Sequence, residues 1–146
     1  MKKFSFSLEK VLDFKQQALE VKKNELSVLQ MKLQDIESEI EDLNRRFVES
    51  NRQMAEKMRT GLNTSEILVY KTYFDTLNRG IEKLKQEKAR MEQIISDKKA
   101  EIVAANSEIS GLEKLKEKQL AEYRKNVQKA EEQAIEEFVS QARVAV

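Results

Sequence analysis

The sequence predicts an all-α fold in which two long helices form an elongated antiparallel coiled-coil hairpin. Charged residues make up 36% of the chain, and there are three glycines and no prolines, so almost nothing interrupts a helix. Apolar residues recur with the alternating three- and four-residue spacing of a coiled-coil seam. One short segment combines helix-ending and helix-starting signals, and a short turn between two long helices makes them antiparallel.

The first helix is predicted over about residues 7–59. Ser7 is its candidate N-cap, with Phe6 and Val11 at hydrophobic-staple spacing. The stretch from Leu26 to Phe47 has an unbroken apolar seam, so we expect it to be the most stable part. The seam consists of two heptad rows: Leu12, Leu19, Leu26, Leu33, Ile40, Phe47 and Met54 form one, and Leu8, Lys15, Lys22, Leu29, Ile36, Leu43, Ser50 and Lys57 form the other.

The turn is predicted over about residues 60–64 and the second helix over about 65–140. Gly61 suits a left-handed helix-ending conformation, and Asn63 with Glu66 has capping-box spacing. Folding back here places Leu8 opposite about residue 117, so the C-terminal end should overhang its partner from about Tyr123 onward. The second seam consists of Ile67, Phe74, Ile81, Lys88, Ile95, Ile102 and Ile109 in one row and Tyr70, Leu77, Leu84, Met91, Lys98, Ala105 and Leu112 in the other.

The residue types that are missing exclude most chemistry. The chain has no cysteine and no histidine, so thiolate nucleophiles, imidazole bases and the commonest zinc ligands are absent. We therefore expect no enzymatic activity, no catalytic residues, no cofactor and no metal. The net charge is +1 with both signs interleaved, which argues against nucleic acid as a partner. No apolar run approaches the ~20 residues of a membrane span, so direct membrane insertion is not expected.

Apolar residues outside the seams are candidates for binding other proteins. We expect partner surfaces in the first and third of three clusters, whereas core packing and docking are equally compatible with the second. Gly80 fits a tolerated surface glycine or a close backbone approach equally well, whereas Gly111 fits a tolerated surface glycine better. The clusters are Phe4, Phe6, Val11 and Phe14; Tyr70, Tyr73, Phe74, Leu77, Gly80 and Leu84; and Val127, Ala130, Ala134, Ile135 and Phe138.

The N-terminal segment resembles the opening of the flagellar FliJ proteins, which typically reads Phe-x-Phe-x-Leu-x-x-Val-Leu. Here Phe4, Phe6, Leu8, Val11 and Leu12 occupy that pattern. The resemblance extends to the turn and to the C-terminal stretch, and so covers the whole chain. The further similar residues are Gly61 and Leu62 with Tyr70, Tyr73, Phe74 and Leu77, and then Leu112, Leu115, Lys116, Tyr123 and Arg124.

This resemblance implies a cytoplasmic component of the flagellar type III export apparatus, at the cytoplasmic face of the inner membrane. FliJ proteins resemble the central stalk of rotary ATPases. The implied partners are the hexameric flagellar export ATPase, whose activity the stalk promotes, the cytoplasmic part of the membrane export gate, and export chaperones. By position, the implied ATPase contacts are Phe4, Phe6, Leu8, Val11, Leu12, Leu115, Lys116 and Tyr123, and the implied gate contacts are Tyr73, Leu77, Gly80 and Leu84. Leu84 departs from the polar residue that suits an exposed stripe.

Three other functions are compatible with the same pattern. One is the stalk of a virulence type III secretion system. Another is a general coiled-coil scaffold or holdase chaperone of the prefoldin kind, which would bind many partners and affect no ATPase. The last is a homodimeric structural rod, against which the turn at residues 60–64 argues.

Overall fold

A computed structural model describes residues 2–145, which form two long α-helices. Helix α1 spans Glu9–Thr60 and helix α2 spans Thr64–Ala145, and no strand occurs between residues 2 and 145. The helices contact each other as a hairpin, which confirms the predicted all-α coiled-coil fold. Contacts divide the chain into two compact units. The turn unit is Lys22–Glu101, and the terminal unit combines the residues up to Val21 with those from Ile102 onward.

The turn between the helices has the conformation that its residues predict. Gly61 has a φ of 101°, in the left-handed region that favours glycine. The side-chain Oδ1 of Asn63 accepts a hydrogen bond of 2.8 Å from the backbone N–H of Glu66. The backbone carbonyl of Asn63 accepts another, of 3.2 Å, from Ile67. Asn63 is therefore the N-cap of α2, as its spacing from Glu66 predicts.

Helix α1 begins later than Ser7, and its first turn is closed by a different residue. The carbonyl of Phe6 accepts a hydrogen bond from the N–H of Glu9 at 3.1 Å, and the carbonyl of Leu8 accepts one from Leu12 at 2.9 Å. Leu8 therefore stands at the N-cap position, and the prediction of Ser7 there is wrong. Phe6, whose carbonyl closes this first turn, is 5% exposed.

Two cross-helix ion pairs show the antiparallel register of the turn unit. Glu25 lies 2.7 Å from Lys98, and Glu37 lies 3.8 Å from Lys88. Residue numbers therefore fall along α2 as they rise along α1. The α1 seam from Leu26 to Phe47 is only half-buried along its length. Two helices alone leave both flanks of a seam open to solvent. Leu77 and Ile95 of α2 are nevertheless buried in the same unit, and the stability of the stretch stays a prediction.

The terminal unit contains the most continuous core. Phe6, from the segment before α1, is buried in this core together with residues of both helices. Burying a large apolar side chain contributes about 1.5–3 kcal/mol, so this segment stabilises the terminal unit. The buried residues are Phe6, Leu12, Leu19 and Ile109, and the half-buried residues packed against them are Phe4, Leu8, Ile102, Ala105 and Leu112.

Candidate partner-binding surfaces

The N-terminal aromatic cluster lies partly inside the hairpin. Phe6 is 5% exposed and Leu12 is 3% exposed, and both belong to the core of the terminal unit. Phe4 and Leu8 are half-buried and pack against the same core. The expectation that this cluster is a partner surface is wrong for Phe6, because Ile109 and other residues of α2 lie in the core with it.

Of the other candidate ATPase contacts in the terminal unit, two are exposed and one forms an ion pair between the helices. Val11 is 42% exposed and Leu115 is 37% exposed. The ammonium group of Lys116 lies 2.7 Å from the carboxylate of Glu9, which ties α2 to the first residue of α1.

Tyr123, on α2, contacts the segment that precedes α1. Its ring lies 5.6 Å from the ring of Phe4, centroid to centroid, and its hydroxyl donates a hydrogen bond to the carbonyl of Lys2. The expected overhang therefore does not begin at Tyr123, because the N-terminal segment reaches that far along α2.

The exposed end of α2 begins at Glu131. Every residue from 131 to 144 is exposed, and we call this segment the C-terminal tail. Its apolar residues include Ile135 and Phe138, which are 64% and 73% exposed. An isolated helix of this length is marginal in water, so the tail is a strong candidate for a partner contact.

The residues of the stripe after the turn, Tyr73, Leu77, Gly80 and Leu84, differ in their exposure to solvent. Tyr73 is 39% exposed, whereas Leu77 is 4% exposed and Leu84 is half-buried. A Cβ atom placed on Gly80 would lie 3.2 Å from Cδ1 of Leu43, so the helices approach closely there. Of the two interpretations of Gly80, the structure favours the close approach. Gly111 has nothing within 4 Å of such a Cβ, as expected for a tolerated surface glycine.

A groove beside Tyr73 includes residues that the seam analysis missed. Its volume is about 590 Å³, and Val69 with Tyr73 provides an apolar wall while Arg45 and Arg46 stand on α1. Val69 is 69% exposed, and the adjacent Leu68 is 63% exposed. Two neighbouring apolar residues outside both heptad rows were the sequence signal that could have identified this surface.

Ion-pair partners shift the pKa values of two side chains, Lys98 and Glu49. Hydrogen bonds to Glu25 and Glu101 raise the pKa of Lys98, a lysine in the seam of α2. A hydrogen bond from Arg52 lowers the pKa of the Glu49 carboxyl, and the charge of Arg52 acts in the same direction. Polar residues in a coiled-coil seam help to fix the register of the helices. The Lys98–Glu25 pair joins the two helices, whereas Arg52 and Glu49 both lie on α1.

Residues 2–145 contain neither a metal-binding group of acidic side chains nor a membrane-spanning segment. That part of the chain contains no group of three or more acidic side chains placed to hold a metal ion. Neither helix, as far as it is described, includes a segment long and apolar enough to span a membrane.

Comparison with protein families decides the identity of the chain. A family model described as "Flagellar FliJ protein" matches residues 4–144. The chain belongs to the FliJ family. No curated protein and no solved structure matches the chain.

Membership of the FliJ family makes the chain a component of the flagellar protein export apparatus. The family is a structural part of that apparatus and is not known as an enzyme family. The match includes the N-terminal motif, the turn stripe and all but the last residue of the α2 helix that ends at Ala145. All of the candidate contact residues therefore lie within the matched range.

Proposed function

We propose that this FliJ-family chain is a cytoplasmic, stalk-like activator of the hexameric flagellar export ATPase, and that it links the ATPase to the export gate. The family match over residues 4–144 carries this proposal, because it joins the chain to the export apparatus along nearly its whole length. The hairpin adds physical support. Packed helix interiors resist compression, so each unit can transmit a displacement between its own two helices.

The ATPase contact is best assigned to accessible residues of the terminal unit. Val11 and Leu115 are exposed, and the C-terminal tail is exposed throughout. Phe6 and Leu12 act indirectly in this proposal, because their burial stabilises the core of the terminal unit. Replacing either of them would disturb the fold as well as any contact.

The gate contact is best assigned to the surface beside the turn. Tyr73 presents its ring at the groove that Val69 and Arg46 also line. Leu77 faces the core, and Gly80 allows α2 to approach Leu43 closely. We infer that these two position the surface while Tyr73 and its neighbours contact the gate. Export chaperones are further candidate partners, for which the exposed Leu68 offers apolar surface.

The flagellar family model favours the flagellar export apparatus over the virulence-type alternative. A holdase differs from a stalk in its partners. A holdase would delay the aggregation of unrelated unfolded proteins, whereas a stalk would bind the ATPase and the gate with defined stoichiometry.

Binding measurements with exposed-residue variants test the assignment of the two contacts. Leu115→Ser with Val11→Ser should weaken binding to the purified ATPase, and Tyr73→Ser should weaken binding to the cytoplasmic part of the gate. Each change should leave the other partner's affinity unchanged. Val103→Ser is a matched control, since Val103 is 69% exposed and lies outside both surfaces. Equal loss of both affinities, or loss in the Val103→Ser control, would contradict the assignment.

A further inference from the structure

Four half-buried lysines lie in the seam between α1 and α2, where a coiled coil usually has apolar residues. Three of them occupy the heptad rows given above, and the fourth continues the row of Ile109. A lysine in a seam lowers the stability of a coiled coil but can determine how its helices align. The four are Lys15 and Lys116 in the terminal unit and Lys98 and Lys88 in the turn unit.

Both seam lysines of the terminal unit form ion pairs with the opposite helix. The ammonium nitrogen of Lys15 lies 2.6 Å from the carboxylate of Glu108, and that of Lys116 lies 2.7 Å from the carboxylate of Glu9. Each of these glutamates is one residue away from the seam of its own helix. The lysine stems can therefore cover apolar surface in the seam while their charged ends meet a carboxylate at its edge.

The turn unit repeats this arrangement. Lys98 lies 2.7 Å from Glu25, and Lys88 lies 3.8 Å from Glu37. Both glutamates again adjoin the seam of α1. The pattern is thus a lysine within the seam of one helix and a glutamate beside the seam of the other.

A slip of one helix along the other by one heptad, about 10 Å, would keep the apolar rows facing each other. It would not keep the ion pairs. Of the eight residues that the two directions of slip place where the four glutamates now stand, only one is a glutamate. For the lysines in the order given above, these residues are Leu115, Gln16, Lys32 and Asn44 in one direction and Glu101, Lys2, Ala18 and Gln30 in the other.

We propose that Lys15, Lys88, Lys98 and Lys116 are register-determining residues, which exclude a one-heptad slip within each unit at some cost in stability. In a slipped alignment most of these half-buried ammonium groups would lack a carboxylate, which is unfavourable for a charge removed from water. Leucine at the same positions would make the seam more apolar throughout and less selective between alignments.

The register matters for any surface that both helices build. The groove beside Tyr73 has Val69 on α2, and Arg46 and Gln53 on α1. A one-heptad slip would displace the α1 wall from the α2 wall by about 10 Å. Lys88 and Lys98 lie in the same unit, so they preserve the groove without contacting whatever binds there.

Distances between two spin labels measure the register of each unit. The chain has no cysteine, so two introduced cysteines take the labels. Val48→Cys with Ile94→Cys reports on the turn unit, and Val21→Cys with Ala121→Cys reports on the terminal unit; all four residues are exposed. In each pair the α2 label lies about 27 Å along the helix from the residue that faces the α1 label, and a one-heptad slip changes this separation by about 10 Å.

Seven glycine and serine residues inserted after Gly61 free the register from the constraint of the turn. With this insertion, and with labelled chains diluted by unlabelled ones, we expect the natural seam to give one distance in each unit. Lys88→Leu with Lys98→Leu should add a second distance in the turn unit while raising the Tm. Lys15→Leu with Lys116→Leu should do the same in the terminal unit.

Matched controls separate the seam from lysine content. Lys85→Leu with Lys99→Leu should keep one distance, because both lysines are exposed and lie outside the seam. Exchanging the charges of one pair, by Lys15→Glu with Glu108→Lys, should also keep one distance.

Three results would overturn the proposal. The first is a single, unchanged distance in the seam leucine variants. The second is two distances in the inserted chain with its natural seam, since the lysines would then fail to select an alignment. The third is a lower Tm with one distance in the leucine variants, which would show that the lysines only stabilise the helices.

Discussion

The two glycines inside α2 offer a direct test of helix packing, because they share one helix and differ in their neighbours. A Cβ added at Gly80 would lie 3.2 Å from Leu43 Cδ1, whereas one added at Gly111 would meet nothing within 4 Å. Replacing either glycine by alanine removes the unfavourable helix propensity of glycine, which is about 1 kcal/mol. Gly111→Ala should therefore raise the free energy of unfolding by about 1 kcal/mol.

Gly80→Ala gains the same propensity but crowds Leu43. Carbon atoms pack best at about 3.5–4.0 Å, so Leu43 would have to move by a few tenths of an ångström. Its Cδ1 is the end of a flexible side chain, so the crowding should offset only part of the gain. A larger residue should reverse the sign. Gly80→Leu should be less stable than Gly111→Leu by about 1–3 kcal/mol, the typical cost of overpacking.

Thermal unfolding followed by helical circular dichroism measures these differences. For a chain of this size 1 kcal/mol corresponds to a shift in Tm of about 2–4 °C. Gly111→Ala should melt higher than the wild-type chain, and Gly80→Ala should fall between the two. Equal Tm values for Gly80→Leu and Gly111→Leu would refute the close approach of α2 to Leu43.

Three further predictions concern the N-terminal core, the turn and acid stability. Phe6→Ala should lower the free energy of unfolding by about 3 kcal/mol, because it leaves a cavity beside Leu12, and urea unfolding measures it. Asn63→Ala should cost about 1 kcal/mol in the same assay, because the N–H of Glu66 loses its cap. Glu49 has a lowered pKa in the folded chain, so its contribution is present above its unfolded-state pKa and is lost as pH falls through the folded value. Glu49→Gln should therefore be less stable than the wild-type chain at neutral pH and equal to it at low pH.

Each of these predictions has an outcome that contradicts it. Phe14→Ala is the control for Phe6→Ala, since Phe14 is 72% exposed, and equal losses would deny the burial of Phe6. Asn63→Asp keeps a capping oxygen and should retain most of the stability, so a loss as large as in Asn63→Ala would count against the cap. A constant difference between Glu49→Gln and wild type across the pH range would argue against the pairing with Arg52.

The helices and turn were predictable because their signals are local. Heptad spacing predicted two long helices, Gly61 predicted the left-handed residue, and Asn63 predicted the cap. These features depend on backbone conformation and on neighbours within one or two turns of helix. The departure at Ser7 shows the limit of such signals, because α1 begins at Glu9 although Ser7 has the more favourable capping side chain.

The distribution of burial was harder to predict because it depends in part on residues outside the heptad rows, such as Phe6. The heptad rows predicted which residues face the partner helix, but they did not show that Phe6 would cover Leu12 and Ile109. The close approach at Gly80 likewise depends on the size of Leu43 across the helix pair. For the candidate surfaces, the sequence correctly indicated that Tyr73 is exposed, because it lies beside the seam. It also indicated that the tail is exposed, because the tail lies beyond both seams. The surface at Val69 was missed because the residue belongs to no heptad row.

The rate of ATP hydrolysis by the cognate export ATPase, with and without this chain, tests the central claim most directly. We expect the full chain to raise the rate together with assembly of the ATPase ring, and a chain ending at Ala130 to raise it much less while keeping its helical content. Val48→Ser should behave like the full chain, because Val48 lies in the turn unit and outside the proposed ATPase contact. An unchanged rate at saturating concentrations of the full chain would contradict the role of this protein as an ATPase activator.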